Sequence, residues 1–373
     1  MGSDAIQNIE AVLALVVAGA EETERSRALA PTVVEKLKRT GAFRALIPKA
    51  FGGLQIPFAD YVALIEQLSQ ADASTAWCVN QAAVIATTSL WLPSAKIQEI
   101  WSASDTAVAN GPPFGCEIRP HAQGYELDGH WGFSSGCQHA TWMMGAARYS
   151  EGGWRIAYFK PGDVEFSDTW QVAGLRGTGS FEFKVRGLIV PEDQVADMGT
   201  PATIDIDLTQ VPSALLFAVS FAGVALGVAA GAMADVLEIA QGKLPRYANL
   251  HLKDDPDVQR FIGKASARLG AARAYLYSTI NAVLETVHEH GAIAHAERAQ
   301  LRMAGTHVIR ECAEVVDLAY KVAGSTGIYQ GQTLQRRFQD MHVITQHVQA
   351  RESYYGLLGR YAISGDYETG PMT

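Results

Sequence analysis

Residues 132–142 read GFSSGCQHATW, with two serines, a cysteine and a histidine set between aromatic residues. Three chemistries start from such a set: acyl transfer on a serine, thiolate chemistry on a cysteine, or a polar wall around an apolar ligand. A serine hydrolase needs Gly-x-Ser-x-Gly on a strand–turn–helix elbow. That pattern is absent, and Ser134–Ser135–Gly136 lies in a strand context. Cys137 has no neighbouring base in sequence to stabilise a thiolate, so it reads as a small buried hydrophobe. The polar wall stays open, with Ser134, Ser135 and His139 as its groups.

Metal and phosphate sites find less support. His288 and His290 flank Glu289, and His295 follows. On a helix, positions i and i+2 do not face each other, so the cluster reads as a polar helix end. His342 and His347 lie five apart, near one helical face, without a carboxylate motif to complete a metal site. No metal is expected. The segments AGSTG (323–327) and GLRGTGS (174–180) could each bring backbone N–H groups to a phosphate. Neither has the spacing of a P-loop or a dinucleotide fingerprint.

The elements that position these groups follow from pattern and composition. The chain has 373 residues, 48% hydrophobic and 18% charged, enough for two or three globular domains. A net charge of -9 without a basic run argues against nucleic acid as a partner. The start, MGSDAIQNIEAVLALVVAGAEE, lacks the basic n-region of a signal peptide. Residues 213–240 are apolar enough to be weighed as a membrane span. Their small residues and missing aromatic or basic flanks favour a buried helix, and no membrane is expected. Four scattered cysteines, with no CxxC pair, point to the reducing cytoplasm.

Residues 5 to about 105 read as helical. Pro31 stands near a helix start, Gly41 at a stop, and a joint falls near Asp72–Ser74. From about 106, short β-branched and aromatic runs punctuated by DG, GG, PG and RG read as a strand-and-turn domain, a small barrel or sandwich. From about 207 the pattern is helical again, over 213–241, 255–290, 293–323 and 333–363, with Asp255 as N-cap and Pro256 at the first helical position. Four long helices with short links suggest a four-helix bundle. The fold class is α+β, in three parts: an N-terminal α-helical domain (1–105), a central β domain (106–206) and a C-terminal four-helix bundle (207–373).

Five segments, in this order, resemble the acyl-CoA dehydrogenase superfamily over nearly the whole chain: IPKAFGG, WGFSSGCQHATW, GLRGTGSFEFKVRGLIVP, DPDVQRFIGKASARLGAAR and AGSTGIYQGQTLQRRFQDMH. In that family's dehydrogenases a glutamate removes an acyl α-proton. Counted on from Asp340, its position falls at or near Val348, and the nearest carboxylate is Glu352. A valine cannot remove a proton. His347 stands there instead, and the chain is similar to the family's flavin-dependent monooxygenases of two-component systems, of the p-hydroxyphenylacetate hydroxylase and dibenzothiophene monooxygenase type. The resemblance implies reduced flavin (FADH2 or FMNH2) delivered by a separate NAD(P)H-dependent reductase. Reaction with O2 would give a C4a-hydroperoxyflavin, which oxygenates a small aromatic or heteroaromatic substrate.

The resemblance also implies roles. Ser135 would face flavin N5, with Ser134 beside it. His347 and His139 would be catalytic, an imidazole being suited to hydrogen bonding or proton transfer near neutrality. Asn110 and Gly111 in VANGPPFG, with Arg176, Thr178 and Ser180, would contact the flavin. Ser325 and Arg336 would approach the flavin of a neighbouring subunit in a homodimer or homotetramer. Arg246 is the nearest counterpart of the family's Arg-x-x-Phe-Gly arginine, which leaves FAD and FMN both open. On the substrate side stand Trp77, Asn80, Ile85 and His139. Several of these monooxygenases carry a second histidine where Ile85 falls, and residues 1–120 contain no histidine at all. Either His139 substitutes, or the substrate needs no deprotonation. Two other readings are kept: a flavin oxidase or dehydrogenase of a non-CoA substrate with His347 or Glu352 as base, and a non-catalytic member that only binds flavin or an acyl ligand.

Overall fold

The computed structural model describes residues 7, 8 and 10–370; the first residues of the helical region expected from residue 5 lie outside them. Among the described residues there are ten α-helices and one eight-stranded sheet. The chain divides into two compact units. One holds Met1–Leu64, Trp77–Gln171 and Arg176–Ser213, and the other holds Ile65–Ala76, Val172–Leu175 and Ala214–Thr373.

Five helices come first: α1 (Leu13–Ser26), α2 (Pro31–Thr40), α3 (Phe58–Ala71), α4 (Ala73–Ala86) and α5 (Ser94–Trp101). Pro31 opens α2, where its missing N–H costs nothing, and Gly41 closes it at φ +80°, a conformation that favours glycine. Asp72 separates α3 from α4 and caps the latter, accepting from Thr75 N at 2.7 Å.

The sheet comprises β1 (Val108–Asn110), β2 (Glu117–His121), β3 (Gly124–Ser134), β4 (Trp142–Tyr149), β5 (Trp154–Phe159), β6 (Glu165–Ser167), β7 (Phe181–Val190) and β8 (Val195–Ala196). Its order is β6-β7-β3-β2-β4-β5-β8, with β1 added in parallel to β4. The long β3–β7 pair is antiparallel and sets Trp131 opposite Phe183. Their rings stack at 5.0 Å and anchor a core that includes Ile118, Leu127, Met143 and Phe159. A register shift between Trp131 and Ser134 interrupts this pairing before its last pair, Ser134 with Phe181, and Phe133 there takes φ +52°. Such a bulge re-aims side chains. Here it leaves Phe133 exposed and turns Ser134 and Ser135 inward.

The second unit is helical: α6 (Ser213–Gly242), α7 (Pro256–His290), α8 (His295–Ala323), α9 (Thr333–Ile344) and α10 (Ser353–Ser364). Asp255 caps α7, accepting from Asp257 N and Val258 N, and Pro256 opens it. α6 is long and apolar enough to cross a membrane by length and composition, yet 89% of its most apolar window is buried in the protein. Its small residues serve close packing. A Cβ on Gly227 would lie 2.2 Å from Glu66 O, and one on Gly305 of α8 would lie 2.7 Å from Ala218. The helix expected over 333–363 is two helices. The chain leaves α9 at Thr345, makes a short turn over Val348–Ala350 and starts α10 at Ser353.

Candidate active site

In the first unit, α4 lays the residues Trp77, Gln81 and Ile85 along one face, four apart. The Trp77 indole N–H donates to Ser135 Oγ at 3.0 Å. Ser135 Oγ lies 2.8 Å from Ser180 Oγ, which lies 2.7 Å from Thr178 Oγ1. All four side chains are buried. The two loops are held together by Gly136 N, which donates to Thr178 O at 2.9 Å, and both turns rely on left-handed glycines, Gly136 at φ +76° and Gly179 at φ +49°. The result is a row of hydroxyls with a donor-only indole at its head. Since Trp77 can only donate, the Ser135 oxygen accepts from it and its proton is directed elsewhere.

Gln81 donates to Asn110 Oδ1 at 2.6 Å, so the Asn110 amide is oriented from α4. Gly111 answers a packing need, because a Cβ there would lie 2.0 Å from Gly132 O. Ile85 is buried, 5% exposed. One turn on, Thr88 Oγ1 lies 2.6 Å from the Tyr158 hydroxyl, whose ionisation burial suppresses. Asn80 is fully buried, its Oδ1 accepting from Tyr61 at 3.1 Å while its Nδ2 has no partner. Arg176 sits beside Glu24, Nε to Oε1 3.2 Å.

His139 lies apart from the hydroxyl row. Its ring packs on Phe43, centroids 5.0 Å apart, and faces a cleft of about 610 Å³ lined also by Leu29, Val34, Lys38 and Asp105. Burial, with the Lys38 charge adding, lowers its pKa to about 3, so it is neutral at physiological pH. Cys137 is buried, and its thiol is pushed up to about 12, which leaves no thiolate for chemistry.

In the second unit, His347 ends the run after α9 and caps the following turn, its Nδ1 accepting from Gln349 N at 3.4 Å. Its ring meets Phe221 edge-on at 4.8 Å. Burial lowers its pKa to about 4, and the charges of Arg302 and Arg351 push the same way. Glu352 is exposed, 3.7 Å from Arg310. Ser325 is exposed in the turn after α8, and Arg336 is half-buried on α9. Arg302, Thr306 and Gln349, which hold the turn beneath His347, escaped sequence reasoning. Arg302 is the one charged residue among those that α8 buries, and on a helix that also carries Arg298, Arg310 and Lys321 the sequence did not single it out.

These residues fit a flavin. The buried Oγ of Ser134 has no hydrogen-bond partner, an orphan donor and acceptor that a bound polar group would satisfy. Beside it stand three hydroxyls in series, a donor set for ring or phosphate oxygens.

Comparison with known proteins agrees with this chemistry. The family models for the acyl-CoA dehydrogenase N-terminal and C-terminal domains match residues 6–98 and 219–352. Indole-3-acetate monooxygenase of Pseudomonas putida is 32% identical over 334 residues, covering 87% of this chain and 85% of that protein. The oxygenase component of p-hydroxyphenylacetate 3-hydroxylase from Acinetobacter baumannii is 28% identical, covering 93% of this chain and 85% of its own length. XiaF from Streptomyces sp., solved in complex with FADH2 and glycerol, shares the fold at a TM-score of 0.89 and 21% identity, covering 99% of this chain and 97% of that one. The chain belongs to the acyl-CoA dehydrogenase family and, within it, to the flavin-dependent monooxygenases.

Proposed function

We propose that the chain is the oxygenase component of a two-component system. It takes reduced flavin, FADH2 or FMNH2, from a separate NAD(P)H-dependent reductase and inserts one oxygen atom of O2 into a small aromatic acid of the indole-3-acetate kind. The observation that carries this reading is the buried row Trp77–Ser135–Ser180–Thr178, three hydroxyls in series headed by an indole donor. Bound reduced flavin supplies the two electrons that divide O2 between product and water.

The chain's own residues do the rest. Ser135, its oxygen already taken by Trp77, offers its proton to a ligand acceptor. Ser180 and Thr178 hold polar atoms of the flavin beside it, and the Asn110 amide, fixed by Gln81, holds another. Ile85 and Trp77 keep water from the reacting face, which suppresses peroxide loss. His347, neutral, donates one hydrogen bond from Nε2 and carries no charge. Ser325 and Arg336 serve a neighbouring subunit's flavin in a dimer or tetramer.

The substrate class follows from what α4 lacks. Ile85 stands where the resemblance to these monooxygenases implies a histidine, and His139 packs on Phe43. With no base on α4, the substrate is one that needs no deprotonation. An indole is electron-rich and has no acidic hydroxyl, and the similarity to indole-3-acetate monooxygenase supports that choice.

The test is to mix purified protein with chemically reduced FAD or FMN, ¹⁸O₂ and indole-3-acetate. One ¹⁸O atom in the product, with peroxide below that of protein-free flavin, is the expected result. A dehydrogenated product without ¹⁸O would make the chain an oxidase or dehydrogenase. Tight flavin binding without turnover on any indole or phenol would make it a non-catalytic binder.

A further inference from the structure

The turn that presents His347 is fastened by one face of α8. Arg302, Thr306 and Arg310 stand four apart on that helix, so they point the same way. Arg302 Nη1 donates to Gln349 Oε1, and Arg302 Nη2 to Ala214 O at 3.3 Å. Thr306 Oγ1 donates to Gln349 O at 3.0 Å, and Arg310 Nε to Ala350 O at 2.8 Å. The Gln349 amide returns to Ala214 O at 3.1 Å, which ties the turn to the start of α6. Arg302 is fully buried and lies over the Tyr354 ring at 4.6 Å.

Gln349 has its side chain and its carbonyl both fixed from α8, and its backbone N–H donates to Nδ1 of His347 at 3.4 Å. An imidazole nitrogen that accepts carries no proton, so the neutral ring keeps its hydrogen on Nε2. Phe221 meets the ring edge-on at 4.8 Å.

We infer that Arg302 and Gln349 are positioning residues for His347: they lock the 347–350 turn so that the imidazole offers its Nε2–H edge as a donor. This rests on His347 acting in the reaction proposed above. The charged groups acting on this imidazole are Arg302 from α8 and Arg351 from the turn itself, and both oppose its protonation. Protonation at Nδ1 would also break the Gln349 N–H contact.

Ring-¹³C histidine NMR on the flavin-free full chain tests this, with the His347 signal assigned by His347→Asn among ten histidines. In the unaltered chain His347 shows the Nε2–H tautomer at neutral pH and titrates with a midpoint of about 4. Gln349→Ala keeps every charge and frees the turn. It is expected to mix the tautomers and raise the midpoint by about one pH unit. Arg302→Lys keeps the charge but loses the fork, and should do the same. Arg302→Met should raise the midpoint further. A midpoint near 6.5 in the unaltered chain overturns the inference. So does a Gln349→Ala protein with unchanged tautomer and midpoint, which would mean that the arginine acts by charge alone. Because no flavin is present, failure of the monooxygenase assay leaves this result standing, and the reverse.

Discussion

At the scale of single residues, the decisive contact joins Trp77 and Ser135, 58 positions apart. Removing the hydroxyl with Ser135→Ala deletes the acceptor of the Trp77 indole N–H and breaks the row to Ser180. We expect a loss of about 1–3 kcal/mol in stability. We also expect a several-fold rise in peroxide released per flavin oxidised. Denaturant titration and a peroxide assay read the two separately, and unchanged coupling would remove Ser135 from the reaction. The pair was not legible in the sequence, because nothing local to TAWCVN or SSGC announces it. The hydroxyl-rich segments themselves were legible, and so was the isoleucine that interrupts the expected histidine pair. His139 and His347 bear on stability through pH. Both have folded pKa values below the ordinary 6.5, at about 3 and about 4. The unfolded chain then binds more protons, so their contribution is complete above about pH 6.5 and is lost as pH falls toward those values. His139→Phe keeps the ring contact with Phe43 and removes one titrating group. Its unfolding free energy should fall less steeply between pH 6.5 and 4 than that of the unaltered chain.

At the scale of elements, caps were readable and tertiary turns were not. Pro31, Gly41, Asp255 and Pro256 mark the ends of α2 and α7 as their chemistry requires. The break between α9 and α10 left no local mark. MHVITQHVQARE keeps a helical rhythm, and the turn within it is imposed by donors on α8. Packing between helices allows a paired prediction. Gly227→Ala places a methyl 2.2 Å from Glu66 O, backbone that cannot move alone. We expect about 1–3 kcal/mol of destabilisation, as for overpacked cores. Gly270, on the exposed face of α7, has nothing within 4 Å of its added Cβ. Gly270→Ala should stabilise by about 0.5–1 kcal/mol, through helix propensity alone. Thermal melts of the two variants should move in opposite directions.

At the scale of the whole molecule, two features bear on how the reaction depends on pH. The imidazoles His139 and His347 are both neutral well below physiological pH, and α4 offers no base to a phenol. If the substrate is an indole acid, no step on the chain needs a proton to leave a substrate hydroxyl. Product formed per reduced flavin should then be flat from about pH 6 to about pH 9. A phenol tested in the same assay should behave differently, since its reactivity rises as it ionises in solution and its own pKa lies near 10, the value of an unperturbed tyrosine. The comparison is made by supplying chemically reduced flavin at each pH, so that no reductase contributes a pH dependence of its own. A sigmoidal loss of coupling with indole-3-acetate, centred near neutrality, would mean that an ionisable group on the chain is used after all. His347→Asn would then identify it: a profile that becomes flat in that variant would assign the titration to His347, and with it a charged role in place of the neutral donor argued from the turn.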